Sequence, residues 1–550
     1  MCRSFQFILL FVTFIVILNF LSIKTPLHSF NNILWNIIFR FLRNQLEKFM
    51  KFPKYVVTLL ATILFVLLFF EKSLGLNVAI YGISTIILLV VFKTEFFKPL
   101  LNKIVGGGFL ITSVMYYLFA SPFTLTIAIL SFILLFGLHV VTPFKSILYA
   151  AINSIPNYFK AFGDFFDSFS SRKKTKRTIG FSKTFRIIFL PLFVIFLFIA
   201  LYSMGSSFFS DALGEVGDAI GRVLNKITQY INIVAVFVGI LGLLFAVIHS
   251  LGFKVTSFSE NDAEKSDLLT RVKDQFAKRF KNLDLLVEYK SGIFLFATLS
   301  LMLIMLLYLE IKNIWFGFEW DGELLKDMVH EGTYVLIIAI LVSMAVTIYY
   351  FRKNLNFYSK NKPLKILAYI WIGLNALLVI SVFFRNSLYI EHFGLAYKRI
   401  GVVFFLVLCI VGLATLAIKI AKLKSTFYVI RNNALVAYLT LIALCLINWD
   451  VIIAKYNYAH YKTAFIHLPY MSSLSDKALP YLELTDEEIA EIEAKQVERI
   501  PFARRGYFEE VQYKEKISKR IRRFKQEQKD NHWLESVWAE EKAFNLLNKD

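Results

Sequence analysis

Residues 402–418 read VVFFLVLCIVGLATLAI, a stretch in which no side chain carries a charge. With its flanking residues it approaches the length of about 20 residues that an α-helix needs to cross about 30 Å of hydrocarbon. Hydrophobic residues make up 57% of the chain and charged residues only 18%, which excludes an ordinary soluble protein. Similar uncharged stretches recur at Val56–Phe70, Phe189–Leu201, Ile293–Leu309 and Thr333–Tyr350. The sequence therefore predicts an integral membrane protein.

These stretches predict an all-α fold, a polytopic transmembrane helical bundle with a C-terminal soluble helical tail. About twelve spans are expected, at residues 5–23, 54–70, 74–92, 106–120, 122–142, 184–204, 231–252, 293–310, 333–351, 364–384, 400–418 and 432–449. The membrane domain is expected to occupy residues 1–454, and the polar tail residues 455–550.

Positive charges are distributed unequally over the predicted loops. The odd-numbered loops carry 35 Lys and Arg residues, whereas the even-numbered loops carry 8. Because loops rich in Lys and Arg stay on the cytoplasmic side, we expect the odd-numbered loops inside and the C-terminal tail outside. The net charge of +21 is therefore a sign of membrane topology, and nucleic acid is not expected as a partner.

A short polybasic run precedes the predicted span at 184–204. Its basic residues are Arg172, Lys173, Lys174, Lys176 and Arg177. Basic side chains beside a span attract anionic lipid headgroups, so contact with the lipid bilayer is the expected role. Binding of a specific ligand is the alternative.

The polar tail contains two helix signals. Thr485 is followed three residues later by Glu488, the pattern of a capping box, which predicts a helix start. A second, charged helix is expected around residues 509–530. We expect these helices to pack against the membrane surface or against a partner protein of the cell envelope, which the outward loops would also contact.

Polar residues gather at the predicted outer face, among them His330, Glu331, Arg385, Arg399 and Asp450. Histidine and carboxylate side chains can hold zinc or supply acid–base groups. The H-E-x-x-H spacing of a zinc site is not present, and no metal or cofactor is expected. The favoured interpretation is a structural network in which Arg385, Arg399, Asp450 and Asn457 cap helix ends and pair with one another, because an unpaired charge near hydrocarbon is costly.

Two motifs in the last third of the chain carry a family resemblance. Arg385–Arg399 reads RNSLYIEHFGLAYKR, and Asn448–Asn457 reads NWDVIIAKYN. They resemble the R-x-x-x-Y-x-x-x-[YF]-G-L-[ST]-x-x-R signature and the N-P-D-x-x-I-A-x-Y-N segment of the DUF4153/DUF4173 proteins, an uncharacterised bacterial multi-pass membrane family. Leu474–Pro480 looks like a third segment of that family. Ala396 stands where Ser or Thr is usual, and Trp449 stands where Pro is usual.

The resemblance covers about residues 310–480 and implies a bacterial inner-membrane protein. It implies no activity, because the family has none assigned. The positions that match its motifs extend the candidate cluster by Tyr389, Gly394, Asn448 and Tyr456, beside Asn457.

Charged residues are scarce inside the predicted spans, and Asn375 is polar but uncharged. Ion-coupled carriers commonly place charged groups at the bilayer centre. The leading interpretation is therefore a non-enzymatic membrane component, an accessory or sensor-like protein. The alternative is a transporter or lipid-flippase-like carrier, and the third is an envelope enzyme that uses the outer polar cluster.

Overall fold

The computed structural model describes residues 54–92, 95–138, 143–154, 257–271, 285–316, 333–352, 354–499 and 510–549. All regular elements among these residues are helices, so the all-α prediction is confirmed for them. The chain divides into two compact units. The first comprises Met1–Phe144, Tyr149–Glu260 and His532–Ser536, and the second comprises Lys145–Leu148, Asn261–Asn531 and Val537–Asp550.

The first unit contains four apolar helices, α1 (Lys54–Phe69), α2 (Leu76–Phe92), α3 (Leu100–Phe119) and α4 (Pro122–Gly137). Helices that are consecutive in the sequence pack against each other, α2 against α3 and α3 against α4. A Cβ atom added at Gly82 of α2 would lie 2.5 Å from the Ser113 side chain of α3. The two helices therefore approach closely through small residues, as membrane helices commonly do.

Five helices of the second unit are long and apolar enough to cross a membrane. They are α6 (Leu285–Glu310), α7 (Thr333–Tyr350), α8 (Lys362–Phe393), α9 (Tyr397–Ala421) and α10 (Thr426–Cys445). A short helix, α5 (Ser257–Glu264), precedes them, and α6 continues into a π-helix (Ile311–Trp315). They coincide with the last five predicted spans. The chain is a membrane-embedded helical protein.

The total of about twelve spans stays a prediction. The predicted spans 5–23, 184–204 and 231–252 lie outside the described residues, and so does the polybasic run at Arg172–Arg177. The predicted spans 54–70, 74–92, 106–120 and 122–142 fall on α1 to α4, which contain 16 to 20 residues and are not among the five.

The last span begins at Thr426 instead of residue 432, because polar groups near its start are satisfied locally. The Ser425 hydroxyl oxygen accepts a hydrogen bond of 3.2 Å from the Tyr428 amide and caps the helix. Asn433 fits inside the helix because its amide donates to the Thr415 hydroxyl of α9 at 2.8 Å. At the other end, α10 stops at Cys445 and the chain turns into α11 (Trp449–Ala459).

The central helix of the bundle is α8, which packs against α6, α7 and α9. Near the start of both helices, a Cβ atom added at Gly292 of α6 would lie 2.9 Å from the Leu364 side chain of α8. Near their ends, the Ser381 hydroxyl of α8 donates to the Glu310 carboxylate of α6 at 2.7 Å. Thus α6 and α8 run parallel. Outward-facing apolar side chains are largely exposed, as lipid contact requires, among them Phe294, Leu301, Met302, Met305 and Val335.

The C-terminal residues of the second unit form a further set of helices. They are α12 (Leu468–Met471), a 3-10 helix (Asp476–Tyr481), α13 (Asp486–Arg499), α14 (Glu510–Asp530) and α15 (Trp538–Leu547). Two more 3-10 helices lie at Asn354–Phe357 and Trp533–Glu535. The predicted capping box is confirmed, because the Thr485 hydroxyl accepts from the Glu488 amide at 3.2 Å and the Glu488 carboxylate accepts from the Thr485 amide at 2.9 Å. The predicted second helix is confirmed as α14.

One hydrophobic core joins α11 and the start of α9 to α12, the 3-10 helix at Asp476–Tyr481, α13, α14 and α15. On α14 the buried side chains recur at helical spacing, at Tyr513, Ile517, Ile521 and Phe524. The same core contains Ile400, Ile453, Ala454, Met471, Leu479, Ile489 and Leu547. The predicted boundary between residues 454 and 455 falls inside α11, and the division into two domains stays a prediction.

Candidate functional site

The motifs quoted above meet at one end of the membrane bundle. At this end α6 and α8 finish, α9 begins, and α10 passes into α11. We call it the polar end; it contains Glu310, Arg385, Gly394, Arg399, Asp450 and Asn457. Three groups of contacts lie there, and each uses side chains that are far apart in the sequence.

The first group is a buried ion pair between α6 and α8. The Arg385 guanidinium contacts both oxygens of the Glu310 carboxylate, and its Nε donates at 2.9 Å. Ser381 donates to the same carboxylate at 2.7 Å, and the Trp315 indole in turn donates to the Ser381 hydroxyl at 3.3 Å. The side chains of Arg385 and Glu310 are only 12% and 5% exposed, so the pair lies within the packed end of the bundle.

The second group fixes the turn between α8 and α9. Gly394 has a φ of 74°, a left-handed conformation that glycine adopts without a side-chain penalty. The Arg399 guanidinium donates to the Phe393 carbonyl at 2.6 Å and also to the Gly394 carbonyl, which caps the end of α8. The Asn457 side chain accepts from the Leu395 amide at 2.6 Å and donates to the Leu395 carbonyl at 3.0 Å. Asn457 thus holds the turn against α11.

The third group surrounds the carboxylate of Asp450, in the first turn of α11. Lys477 lies 3.0 Å from this carboxylate, and the Ser475 hydroxyl donates to it at 2.7 Å. The side chain of Tyr397 also hydrogen-bonds to Asp450. Because Ser475 is the N-cap residue of the 3-10 helix at Asp476–Tyr481 and Lys477 lies in its first turn, this group attaches that helix to the polar end.

The pKa of Asp450 is lowered from its usual value in this setting. Burial by itself would raise the pKa, but the ammonium of Lys477 and the hydrogen bonds from Ser475, Lys477 and Tyr397 favour the charged form more strongly. Burial, together with the nearby Arg399, lowers the pKa of His467. Burial raises the pKa of Glu540, although Lys477 opposes that shift.

The aromatic and amide positions of the motifs lie at the polar end as well, and of these Tyr389 contacts the second group directly. Tyr389 is buried beneath the Arg399 guanidinium, whose central carbon lies 4.3 Å from the ring centroid. Tyr456 stacks on His460 with ring centroids 4.2 Å apart. Asn448 is the N-cap residue of α11, and its side-chain oxygen is buried with no hydrogen-bond partner among the described residues.

Sequence reasoning expected Arg385, Arg399, Asp450 and Asn457 to cap helix ends and to pair with one another. The capping is observed for Arg399, but the ionic partners of the other two charges are Glu310 and Lys477. Glu310 was not singled out, since it lies at the edge of a predicted span. Its signal was a carboxylate at the end of an apolar run, a position that needs a partner.

Arg520 of α14 was missed as well. It donates to the carbonyl groups of Ser472 and Leu474, both at 2.6 Å, and to the Asp476 carboxylate at 3.1 Å. Arg520 lies in a run of basic residues (KRIRR), and the sequence does not show which of them binds backbone carbonyl groups and which faces solvent. Arg520 therefore joins α14 to the segment that approaches Asp450.

Several predicted residues cannot be assigned a place in this site. His330 and Glu331 lie outside the described residues, as do Arg172, Lys173, Lys174, Lys176 and Arg177. Within the part of the chain that the structure describes, no group of three His, Cys, Asp or Glu side chains could hold a metal ion.

A family model described as "Domain of unknown function (DUF4153)" matches residues 79–484, from α2 to just before α13. The chain belongs to this family. The match extends well to the N-terminal side of the region, about 310–480, in which the motifs were recognised, and it includes all three groups of contacts at the polar end. No curated protein and no solved structure matches the chain.

Proposed function

We propose that this family member is a non-enzymatic membrane component, accessory or sensor-like, whose C-terminal helices follow the arrangement of its membrane helices and bind a partner protein of the cell envelope. The observation that carries the proposal is the hydrophobic core that α9 and α11 share with α13, α14 and α15. A shared core transmits displacement from one helix to the next, because closely packed interiors are stiff.

Polar contacts strengthen this connection. Asp450 binds Lys477 at 3.0 Å, and the hydroxyl groups of Tyr458 in α11 and Tyr513 in α14 lie 2.6 Å apart. Arg520 clamps the intervening backbone at Ser472. A shift of α8 or α9 at the polar end would therefore reach α14 through buried contacts.

The side of α14 opposite the core supplies a surface for a partner. Lys519, Arg522 and Lys529 lie on this exposed side, and the nearby α15 exposes 46% of Trp538. Arginine and aromatic side chains are enriched at protein interfaces, and a surface rich in positive charge attracts a negatively charged one. An acidic surface on an envelope protein is the complementary partner.

The cellular arrangement is part of the same proposal. We place the protein in a bacterial inner membrane, with the basic loops in the cytoplasm and the polar end and C-terminal helices on the other side. In support, Lys362 and Lys365 at the start of α8 lie at the same end of the bundle as Lys422 and Lys424 after α9, opposite the polar end.

The test is site-specific photo-crosslinking in intact cells. A photoreactive amino acid at Trp538, and separately at Arg522, is expected to capture one partner of defined mass. Reversal of the basic surface (Lys519→Glu with Lys529→Glu) should abolish that product without lowering the amount of folded protein. The matched control places the same amino acid at Leu301, a lipid-facing position that is 69% exposed. Capture that is equal at all three positions, or unaffected by charge reversal, would contradict the proposal.

A carrier is the second candidate, and one observation favours it. The Glu310–Arg385 pair is buried at the end of two membrane helices, and a π-helix, an element frequent at functional sites, follows Glu310 directly. Flux of a solute or lipid in proteoliposomes that Glu310→Gln abolishes would favour the carrier over the accessory role. An envelope enzyme is less favoured, because Lys477 and Ser475 already occupy the buried carboxylate of Asp450.

A further inference from the structure

Three polar atoms in the middle parts of α6 and α8 have no hydrogen-bond partner within the part of the chain that the structure describes. They are the hydroxyl oxygen of Ser300 on α6 and the indole nitrogen of Trp371 and side-chain oxygen of Asn375 on α8. All three residues are buried, with exposures of 5%, 6% and 1%. Each such atom costs about 1–3 kcal/mol when it is left without a partner.

The parallel register of α6 and α8 brings these residues to one depth. Gly292 lies against Leu364 near the start of both helices. An α-helix rises about 1.5 Å per residue, so Ser300 lies about 12 Å beyond Gly292 along α6. Along α8, Trp371 lies about 10 Å and Asn375 about 16 Å beyond Leu364. Ser300 is therefore at a depth between those of Trp371 and Asn375.

Both helices turn these residues inward. Ser300 belongs to the buried stripe of α6 that begins at Gly292 and ends at Glu310, and the residues at both ends of this stripe contact α8. Trp371 and Asn375 are one turn apart on α8, so their side chains lie on the same face. The amide nitrogen of Asn375 donates to the Trp371 carbonyl at 2.8 Å, which leaves the Asn375 oxygen as the free acceptor.

This position is the middle of the apolar part of α8. Asn375 lies midway between Lys365 and Arg385, about 15 Å from each along the helix axis. Water is scarce at that depth and lipid tails offer no hydrogen bonds, so polar groups there must be satisfied from within the protein or by something bound to it.

The chemistry of the three atoms defines what fits. An indole N–H only donates, the Asn oxygen only accepts, and a serine hydroxyl can do either. One hydroxyl or water oxygen can accept from Trp371, donate to Asn375 and use its remaining capacity for Ser300. A carboxylate lacks the donor and an ammonium ion lacks the acceptor. We propose that Ser300, Trp371 and Asn375 form a mid-membrane site for a neutral hydroxyl group, supplied by a bound water molecule or by a small alcohol solute.

The test measures the hydrogen-bond state of the Trp371 indole by ultraviolet resonance Raman spectroscopy on the full chain in nanodiscs. The difference between wild type and Trp371→Phe isolates the Trp371 signal. Trp449→Phe gives the matched reference, because its indole donates to the Leu444 carbonyl at 2.9 Å. We expect a hydrogen-bonded indole at Trp371, comparable to that of Trp449. A signal typical of an indole without a hydrogen bond overturns the proposal.

Glycerol distinguishes the two sources of the hydroxyl group. A Trp371 signal that is hydrogen-bonded without glycerol and unchanged by it indicates a water site. A signal that shifts saturably with glycerol indicates a site for small alcohols. Should Trp371→Phe not fold, Asn375→Leu tests the same site by removal of the acceptor. The Trp371 component of the wild-type spectrum should then move toward the unbonded position, and an unchanged spectrum contradicts the proposal.

Discussion

The Arg385 guanidinium and the Glu310 carboxylate form a buried ion pair although 75 positions of sequence separate them. The pair joins the ends of α6 and α8, and Ser381 supplies a further hydrogen bond to the same carboxylate. At this depth the alternative to pairing is an isolated charge at the edge of hydrocarbon. The pair therefore stabilises the contact between the ends of α6 and α8 at the polar end.

Glu310→Ala should lower the free energy of unfolding by about 3–5 kcal/mol, because it leaves Arg385 buried without its counter-charge. The double variant Glu310→Leu with Arg385→Met should recover most of that loss, since no unpaired charge remains. Unfolding in mixed detergent micelles with increasing dodecyl sulfate measures both. Glu95→Ala is the control: Glu95 also pairs with a basic residue, Lys98, but both side chains are at least 70% exposed, so the change should be below about 1 kcal/mol. Equal losses at Glu310 and Glu95 would refute the buried pair.

Asp450 should make the protein sensitive to acid. Its pKa is lowered in the folded state, so its stabilising contribution is complete above the unfolded-state value near pH 4 and is lost as the pH falls through the folded-state pKa. Asp450→Asn should reduce the free energy of unfolding at pH 7 by about 3–5 kcal/mol, because Lys477 stays buried without a carboxylate. Unfolding midpoints between pH 7 and pH 3 test this.

The pH profile separates this role from a loss of packing. As the pH falls below about 4, the curves for wild type and Asp450→Asn should approach each other, and they should meet only below the lowered folded-state pKa, where the wild-type carboxylate is protonated in the folded protein. Asp486→Asn, at a side chain that is 80% exposed, should leave the wild-type profile nearly unchanged. Curves that stay parallel over the whole pH range would show that the Asp450 charge does not contribute.

Gly394→Ala should destabilise the turn between α8 and α9. At φ 74° and ψ −176° a side chain costs about 1–3 kcal/mol, because this backbone conformation is essentially restricted to glycine. The added Cβ atom would also lie 2.5 Å from the Asn457 side-chain oxygen. Adding Asn457→Ala should relieve the clash but not the backbone strain. Gly373→Ala is the control, because no described atom lies within 4 Å of its Cβ position and Ala favours the helix by up to about 1 kcal/mol. Thermal unfolding in detergent compares the three variants, and a wild-type midpoint for Gly394→Ala would argue against the strained turn.

Arg520→Ala should loosen the segment that approaches Asp450. The variant removes donors to the Ser472 and Leu474 carbonyls and to Asp476, and a loss of about 2 kcal/mol corresponds to roughly thirty-fold faster local opening. Hydrogen–deuterium exchange of the peptides that cover residues 472–481 measures it. Arg522→Ala is the control, since Arg522 lies on the exposed side of α14. Similar exchange in both variants would count against the clamp.

Reporter fusions test the proposed membrane orientation. A reporter active only outside the cytoplasm, fused after Asp550, should be active. A reporter active only in the cytoplasm, inserted between Arg271 and Leu285, should also be active, because the loop that contains it is rich in Lys and Arg. The reverse pattern would mean that the polar end faces the cytoplasm, and the search for a partner would move there.

The sequence predicted helices well where the signal depends on residues of that helix alone. The uncharged run at residues 402–418 lies in α9, and the capping box at Thr485 begins α13 as expected. The start of α10 was less predictable. Asn433 and Arg431 make its first turns look polar, and only the contacts to Thr415 and Asp267 show why they fit a helix there.

The candidate site was predictable as a set of residues but not as a set of pairs. The motifs pointed to Arg385, Arg399, Asp450 and Asn457, and all four lie at the polar end. The partners of the two ion-paired charges were hidden because Glu310 lies in another span and Lys477 lies in the segment after α12.

By itself, the sequence determined that this chain enters a membrane, that it is helical and that its polar motifs belong to one family. These properties depend on the transfer of side chains from water to hydrocarbon and on hydrogen bonds within a turn, and both are local. The tertiary structure decided which charged side chains form ion pairs with each other. It paired Arg385 with Glu310 and Asp450 with Lys477, and it packed α14 into the same core as α11. Those choices depend on the distance and burial of groups that are remote in the chain, which only the packing of the helices defines.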